Sequence, residues 1–185
     1  MIFGRQALFL AASIALAAPS YAEEIVPLAG CYERVYDAAW LAAHRGQIVR
    51  KIALSVAKTS VPETPGEKQR ILADAMLAMW SGKTAFSTIG ACFWERTGLV
   101  CNAALSAQET ERCKSKEDGV RACRVSFNDS GSFKLEQKSE GLMLTIRERL
   151  ELPGPEARGT YLYLSPANAE NHVFLLKPAP AERCK

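Results

Sequence analysis

Histidine is the scarcest catalytic residue in this chain: only two occur in 185 residues, His44 and His172. Neither lies in an H-E-x-x-H motif and no G-x-S-x-G elbow is present, so the local signatures of zinc proteases and serine hydrolases are missing. The cysteines contain no C-x2-C pair, which removes the usual short-spaced zinc ligand set. Ser81-Gly82-Lys83-Thr84 ends like a phosphate-binding loop, but the pattern G-x-x-x-x-G-K-[ST] needs glycine at 77 and the chain has Leu77. There is no lysine and arginine block to track phosphates, and the aromatics are not interleaved with basic residues in one stripe, so nucleic acid is not an expected partner. No metal and no cofactor is implied.

A membrane-spanning run is missing as well. The longest apolar stretch, residues 7–18 (ALFLAASIALAA), is shorter than the roughly 20 residues a bilayer requires. With Arg5 before it and Ser20-Tyr21-Ala22 after it, residues 1–22 read as a secretory signal peptide. Residues 23–185 then form a single β-rich domain, periplasmic or secreted. Leu28-Ala29-Gly30-Cys31 matches the spelling of a lipid-attachment site, but Pro19, Glu23, Glu24 and Pro27 separate it from the apolar run, and glutamates are costly to hold in lipid. Removing Arg5 with the leader leaves 22 basic residues against 20 acidic ones, a balance silent about partners.

What the chain does have is an even set of six cysteines, at 31, 92, 101, 113, 123 and 184, which suits an oxidising compartment. Cys31 and Cys184 bracket the mature chain, and joining them would close a loop worth about 5 kcal/mol of unfolded-state entropy. Cys92 with Cys101 encloses the turn Arg96-Thr97-Gly98, and Cys113 with Cys123 encloses Glu117-Asp118-Gly119. A nested alternative, Cys92 with Cys123 and Cys101 with Cys113, puts its turn at Ser106-Ala107-Gln108, where turn chemistry is poorer. Both connectivities of the four central cysteines stay open.

The pattern of apolar residues is mainly that of strands. Cys123, Val125 and Phe127 alternate, and 128–132 (NDSGS) turns the chain into Phe133 and Leu135. Asn128-Asp129-Ser130 is also a glycosylation sequon, relevant only to a eukaryotic source. Leu142, Leu144, Ile146, Leu150 and Leu152 share one face of a long strand that Pro153-Gly154-Pro155 stops. Ile48, Ile52, Leu54 and Val56 alternate likewise, and residues 161–164 and 172–176 are two short candidates. Residues 31–44 (CYERVYDAAWLAAH) read instead as a short N-terminal helix, with Val35, Ala38, Ala39 and Ala42 at helical spacing. Residues 65–81 fit both patterns: Thr64-Pro65-Gly66-Glu67 looks like a helix start and Ile71, Leu72, Ala75, Met76, Met79 and Trp80 recur with helical period, yet Ile71, Ala73, Ala75, Leu77 and Met79 alternate strictly. The fold expected is a mainly β, single, disulfide-stapled sandwich or barrel-like domain with a short N-terminal helix.

Residues 31–49 (CYERVYDAAWLAAHRGQIV) and 123–133 (CRVSFNDSGSF) resemble two blocks of an uncharacterised family of secreted bacterial proteins, with patterns near C-Y-x-R-x-Y-D-x-x-H-L-A-x-H-P-x-Q-x-V and C-x-V-x-C-D-G-G-S-F. Trp40 stands where the pattern has its first histidine and Arg45 where it has proline. The resemblance implies an exported, mainly β domain and no catalytic role.

Three residues are candidate binding positions. His44, at the end of the expected helix, is a possible base or ligand, although a histidine there commonly complements the helix dipole. Arg50 and Glu148 fall, by continued alternation, on the apolar faces of their strands, where they would form an interior ion pair or line a polar cavity if those strands are neighbours. The alternative, favoured by the rarity of buried charge, is that both sit near strand ends or bulges and reach solvent. The function expected is that of an exported, non-enzymatic binding protein, its partner an unidentified protein or small ligand outside the cytoplasm. Inhibition of an extracellular or periplasmic hydrolase of the lysozyme kind is the alternative, although the S-G-x-x-Y signature is absent from Ser130-Gly131-Ser132-Phe133-Lys134. A small enzyme would need His44 or His172 brought beside a carboxylate or hydroxyl.

Overall fold

Residues 73–79 resolve the ambiguity of the middle of the chain. In the computed structural model, which describes residues 26–59, 70–103, 130–155 and 160–184, Ala73, Ala75, Leu77 and Met79 are buried while Asp74, Met76 and Ala78 are not. That is the period of two of a half-buried strand. A helix over 65–81 would have satisfied its own backbone; the strand is chosen because neighbours on both sides complete its ladder. β2 (Lys51–Lys58) and β4 (Thr84–Glu95) both pair antiparallel with β3 (Ala73–Ser81).

The remaining barrel strands are β1 (Gly30–Val35), β5 (Gly98–Ala103), β6 (Ser132–Lys138), β7 (Gly141–Ile146) and β10 (Val173–Ala179). They run in the order β1-β10-β7-β6-β5-β4-β3-β2, and β1 pairs with β2 to close an eight-stranded antiparallel barrel. Closure removes both sheet edges, so every strand has two partners. β8 (Leu150–Pro153) and β9 (Tyr161–Leu164) form a separate hairpin between β7 and β10. The hairpin packs against β4 and its Leu150, Leu152, Leu162 and Leu164 join the barrel core.

The inner face is filled. Phe133, Phe174, Leu77, Met79, Leu135, Leu142, Leu144 and Ile146 are all essentially inaccessible. Gly90 contributes space: a Cβ there would lie 3.0 Å from Cβ of Cys101 and 3.2 Å from the Phe133 ring. Glu33, Lys51, Asp74, Ser87, Lys134 and Glu136 alternate with inward residues and face out. The outer face is mixed, since Met76 and Ile89, paired across β3 and β4, are also exposed there. No helix among the described residues is long and apolar enough to cross a membrane.

Two disulfides staple this frame. Cys31 and Cys184 join β1 to the short 3-10 turn Ala181–Cys184 at the end of the chain. Cys92 and Cys101 are register partners across β4 and β5, both fully buried inside the barrel. Cys113, Cys123, the strand expected over 123–127, the helix-start motif at 64–67 and the signal peptide at 1–22 fall outside the described residues.

Three expectations are corrected. The helix is shorter than 31–44: its first part is β1, because closing the barrel requires a strand between β2 and β10, and α1 (Ala38–Ala43) begins only where Asp37 caps it. The long strand over 142–152 is broken. Backbone N–H groups of both Arg147 and Glu148 donate to the Ser132 carbonyl, at 2.9 and 3.2 Å, and this two-to-one pairing separates β7 from β8. Ladder pairing likewise starts at Lys51, not at Ile48. Neither Arg50 nor Glu148 therefore reaches an apolar interior; both are exposed.

Candidate functional site

Strand direction assigns the loops to two ends. β1, β3, β5 and β7 finish, and β2, β4, β6 and β10 begin, at one end; it carries α1 and the β8–β9 hairpin. The α1 end starts where Val35, Lys51 and Trp80 lie side by side across three strands. The Tyr36 N–H donates to the Arg50 carbonyl at 3.0 Å, which turns the chain off the barrel. Asp37 Oδ1 then accepts from the Trp40 N–H at 2.7 Å, a side-chain cap that starts a helix of only six residues.

The four-residue spacing of Tyr36, Trp40 and His44 stacks their rings on one side of that turn. Tyr36 and Trp40 have centroids 5.7 Å apart, and Trp40 and His44 lie nearly parallel at 3.9 Å. Arg34 supplies a cation to the same group, 4.8 Å from the Tyr36 centroid and 5.7 Å from that of Trp40. Burial pushes the Tyr36 phenol above its ordinary range, and the charge and hydrogen bond of Arg34 oppose that rise. Arg34 lies on the inward side of β1, opposite the fully buried Ile52, and its Nε is buried without a hydrogen-bond partner.

α1 buries none of its own residues, so the loop around it needs another anchor. Asn171, fully buried, provides it. Its Oδ1 accepts from the N–H groups of Ile48 and Val49 at 3.0 and 3.2 Å and from Gln47 Nε2 at 3.0 Å, while its Nδ2 donates to the Gly46 carbonyl at 2.7 Å and to Asn168 Oδ1 at 3.2 Å. One amide thus ties the loop before β10 to the loop before β2.

Among the described residues, every cation stacked over an aromatic ring lies at this end: Arg34, Lys51 over Trp80 at 4.5 Å, and Arg149 over Tyr163 at 4.5 Å. Five of the eight large exposed apolar side chains among the described residues are there too: Val35, Trp40, Ile48, Tyr163 and Val173. Aromatic rings, aliphatic groups and arginine together are the composition of protein contact surfaces.

Of the residues singled out by sequence, the structure places His44, Arg50 and Glu148 all at the α1 end but does not bring Arg50 and Glu148 into an ion pair. Glu148 Oε2 accepts from Ser132 Oγ at 3.1 Å. His44 caps the end of α1 and its Nδ1 lies 2.9 Å from the Trp40 carbonyl; His172 Nδ1 lies 2.6 Å from the Asn168 carbonyl. A carbonyl only accepts, so in both rings Nδ1 carries the proton. No group of three metal-ligating side chains converges among the described residues. Arg34 and Asn171 escaped the sequence reading. The period-two spacing of Tyr32, Arg34 and Tyr36 was the available signal for the first; Asn171, within a cluster of turn residues, offered none. No family model, curated protein or solved structure matches the chain.

Proposed function

We propose that this is an exported, non-enzymatic binding protein that engages a protein partner through the α1 end of its barrel. The observation that carries this reading is the concentration there of exposed aliphatic and aromatic side chains with ring-stacked cations. A barrel of eight strands either fills with side chains or holds one small ligand. The packed inner face, with Phe133, Phe174 and the hairpin leucines, favours the outer rim as the contact surface. Export rests on the leader pattern of residues 1–22, on the resemblance to an exported family, and on disulfides suited to an oxidising compartment.

The test is retention. Immobilised mature protein is incubated with a native envelope or extracellular fraction, and bound proteins are identified by mass spectrometry. Trp40→Ala with Ile48→Ser should abolish specific retention, whereas Met76→Ser, on the outer face of β3, should not. Equal retention by all three proteins contradicts the reading. If the retained protein is a hydrolase whose turnover stops at a one-to-one ratio, binding takes the form of inhibition.

A further inference from the structure

Building on the α1 end as the contact surface, we propose that it is shaped for an acidic polypeptide, with Arg34 as the anchor that receives a partner carboxylate. The Arg34 side chain starts on the inward side of β1, and its head is half-buried and stacked by Tyr36 and Trp40. A guanidinium carries five N–H donors in a rigid plane that matches a carboxylate in bidentate fashion. Here the guanidinium lies over the Tyr36 and Trp40 rings, Nε is buried without a partner, and no carboxylate of the described residues pairs with it. Ring stacking fixes the plane but leaves the charge without a counter-ion. Taking a cation out of water without an anion is unfavourable, and an incoming carboxylate removes that penalty.

The surroundings have the same sign. Arg45, Arg50, Lys51 and Lys83 also lie at this end, and none forms an ion pair with a carboxylate among the described residues. Of the local acids among the described residues only Glu151 has a cation partner, Arg149 at 3.4 Å; Asp37 caps α1, Glu148 accepts from Ser132, and a Glu170 oxygen is buried against Gly46 without a hydrogen-bond partner. At the opposite end Glu136 and Glu140 pair with Lys134 and Lys177. Five cations, Arg34 included, thus stand against the three carboxylates of Asp37, Glu148 and Glu170, so the balance of charge without an ion-pair partner at the α1 end is positive, and it sits among exposed apolar groups. An acidic protein segment with apolar neighbours complements it.

Poly-L-glutamate titrated into the mature protein, followed by tryptophan fluorescence and calorimetry, tests this. Inorganic polyphosphate of equal charge serves as comparator. The wild type should bind poly-L-glutamate more tightly than polyphosphate. Arg34→Gln should weaken binding by about tenfold or more and Arg34→Lys should recover only part of it, because a lysine lacks the planar fork. Arg50→Gln, at an exposed position, should weaken binding by about threefold. Lys58→Gln removes an equal charge at the opposite end and should change affinity by less than about twofold. Absence of binding, a preference for polyphosphate, or equal losses in Arg34→Gln and Lys58→Gln each overturn the proposal. If poly-L-glutamate is not bound while the Trp40 and Ile48 substitutions still abolish partner retention, the contact surface stands and its acidic chemistry fails. If those substitutions leave retention intact, the contact surface itself is wrong.

Discussion

Replacing Asn171 with alanine should cost more than any other polar substitution among the described residues. The side chain is fully buried and makes five hydrogen bonds. Truncation strands two kinds of group. The N–H of buried Val49 loses its acceptor with no water at hand, whereas Ile48, Gln47 and Gly46 lie nearer the surface and rehydrate. A buried donor left unpaired costs about 1–3 kcal/mol, and the partial losses bring the total to about 2–4 kcal/mol. For a urea slope of about 2 kcal/mol per molar, the unfolding midpoint should fall by about 1–2 M with the disulfides intact. Asn171→Asp sharpens the test. It keeps the Oδ1 acceptor but turns the donor into a carboxylate oxygen facing the Gly46 carbonyl, 2.7 Å away in the native protein. The deprotonated form is repelled, so the aspartate pKa is raised in the folded state. Its destabilisation should be full near neutral pH and relieved as pH falls and the protonated acid donates to that carbonyl. A cost of less than about 0.5 kcal/mol for Asn171→Ala, or an Asn171→Asp protein whose stability deficit ignores pH, refutes the reasoning.

Other outcomes follow from the same geometry. Replacing both Cys31 and Cys184 with serine opens a loop of sequence separation 153, and should cost about 5 kcal/mol against about 3 kcal/mol for opening the separation of 9 between Cys92 and Cys101, as read by urea unfolding. Gly141 sits at φ +150 with the Leu176 carbonyl oxygen 2.1 Å from where a Cβ would be, so Gly141→Ala should destabilise by at least about 1–3 kcal/mol, seen as a lowered melting temperature. Glu136 accepts from Thr97 Oγ1 at 2.7 Å and from Lys134 at 3.1 Å, and these bonds hold its carboxyl below the ordinary range. A depressed folded-state value stabilises above the unfolded value and is lost as pH falls through the folded one. Glu136→Gln should therefore flatten the stability profile between about pH 5 and pH 3.

Strand content was legible wherever one face was buried and the other wet. Leu142, Leu144 and Ile146, or Leu150 and Leu152, show alternation that only a half-buried sheet explains. Alternation failed as a guide across breaks in the ladder. Glu148 falls into register with Leu150 on paper, but the shared Ser132 carbonyl inserts an extra residue and turns it to solvent. Residues 31–35 were misleading because alanines after Asp37 extend a helical pattern backwards over a strand whose identity depends on β2 and β10, far away in sequence. The site was legible only in part for the same reason. His44, Arg50 and Glu148 do gather at one end, but as separate groups. The contacts that define that end, Lys51 on Trp80 and Asn171 on the 46–49 loop, join residues 29 and more than 120 positions apart.

Hydrogen exchange of the mature protein, free and bound to the protein retained from its native fraction, tests the binding surface most directly. Residues 35–50, the β3–β4 turn at 81–84, and Tyr161–Leu164 should gain protection, with the β6–β7 turn at 139–140 unchanged. Protection confined to that opposite turn, or to the outer faces of β3 and β4, contradicts the assignment of the α1 end as the contact surface.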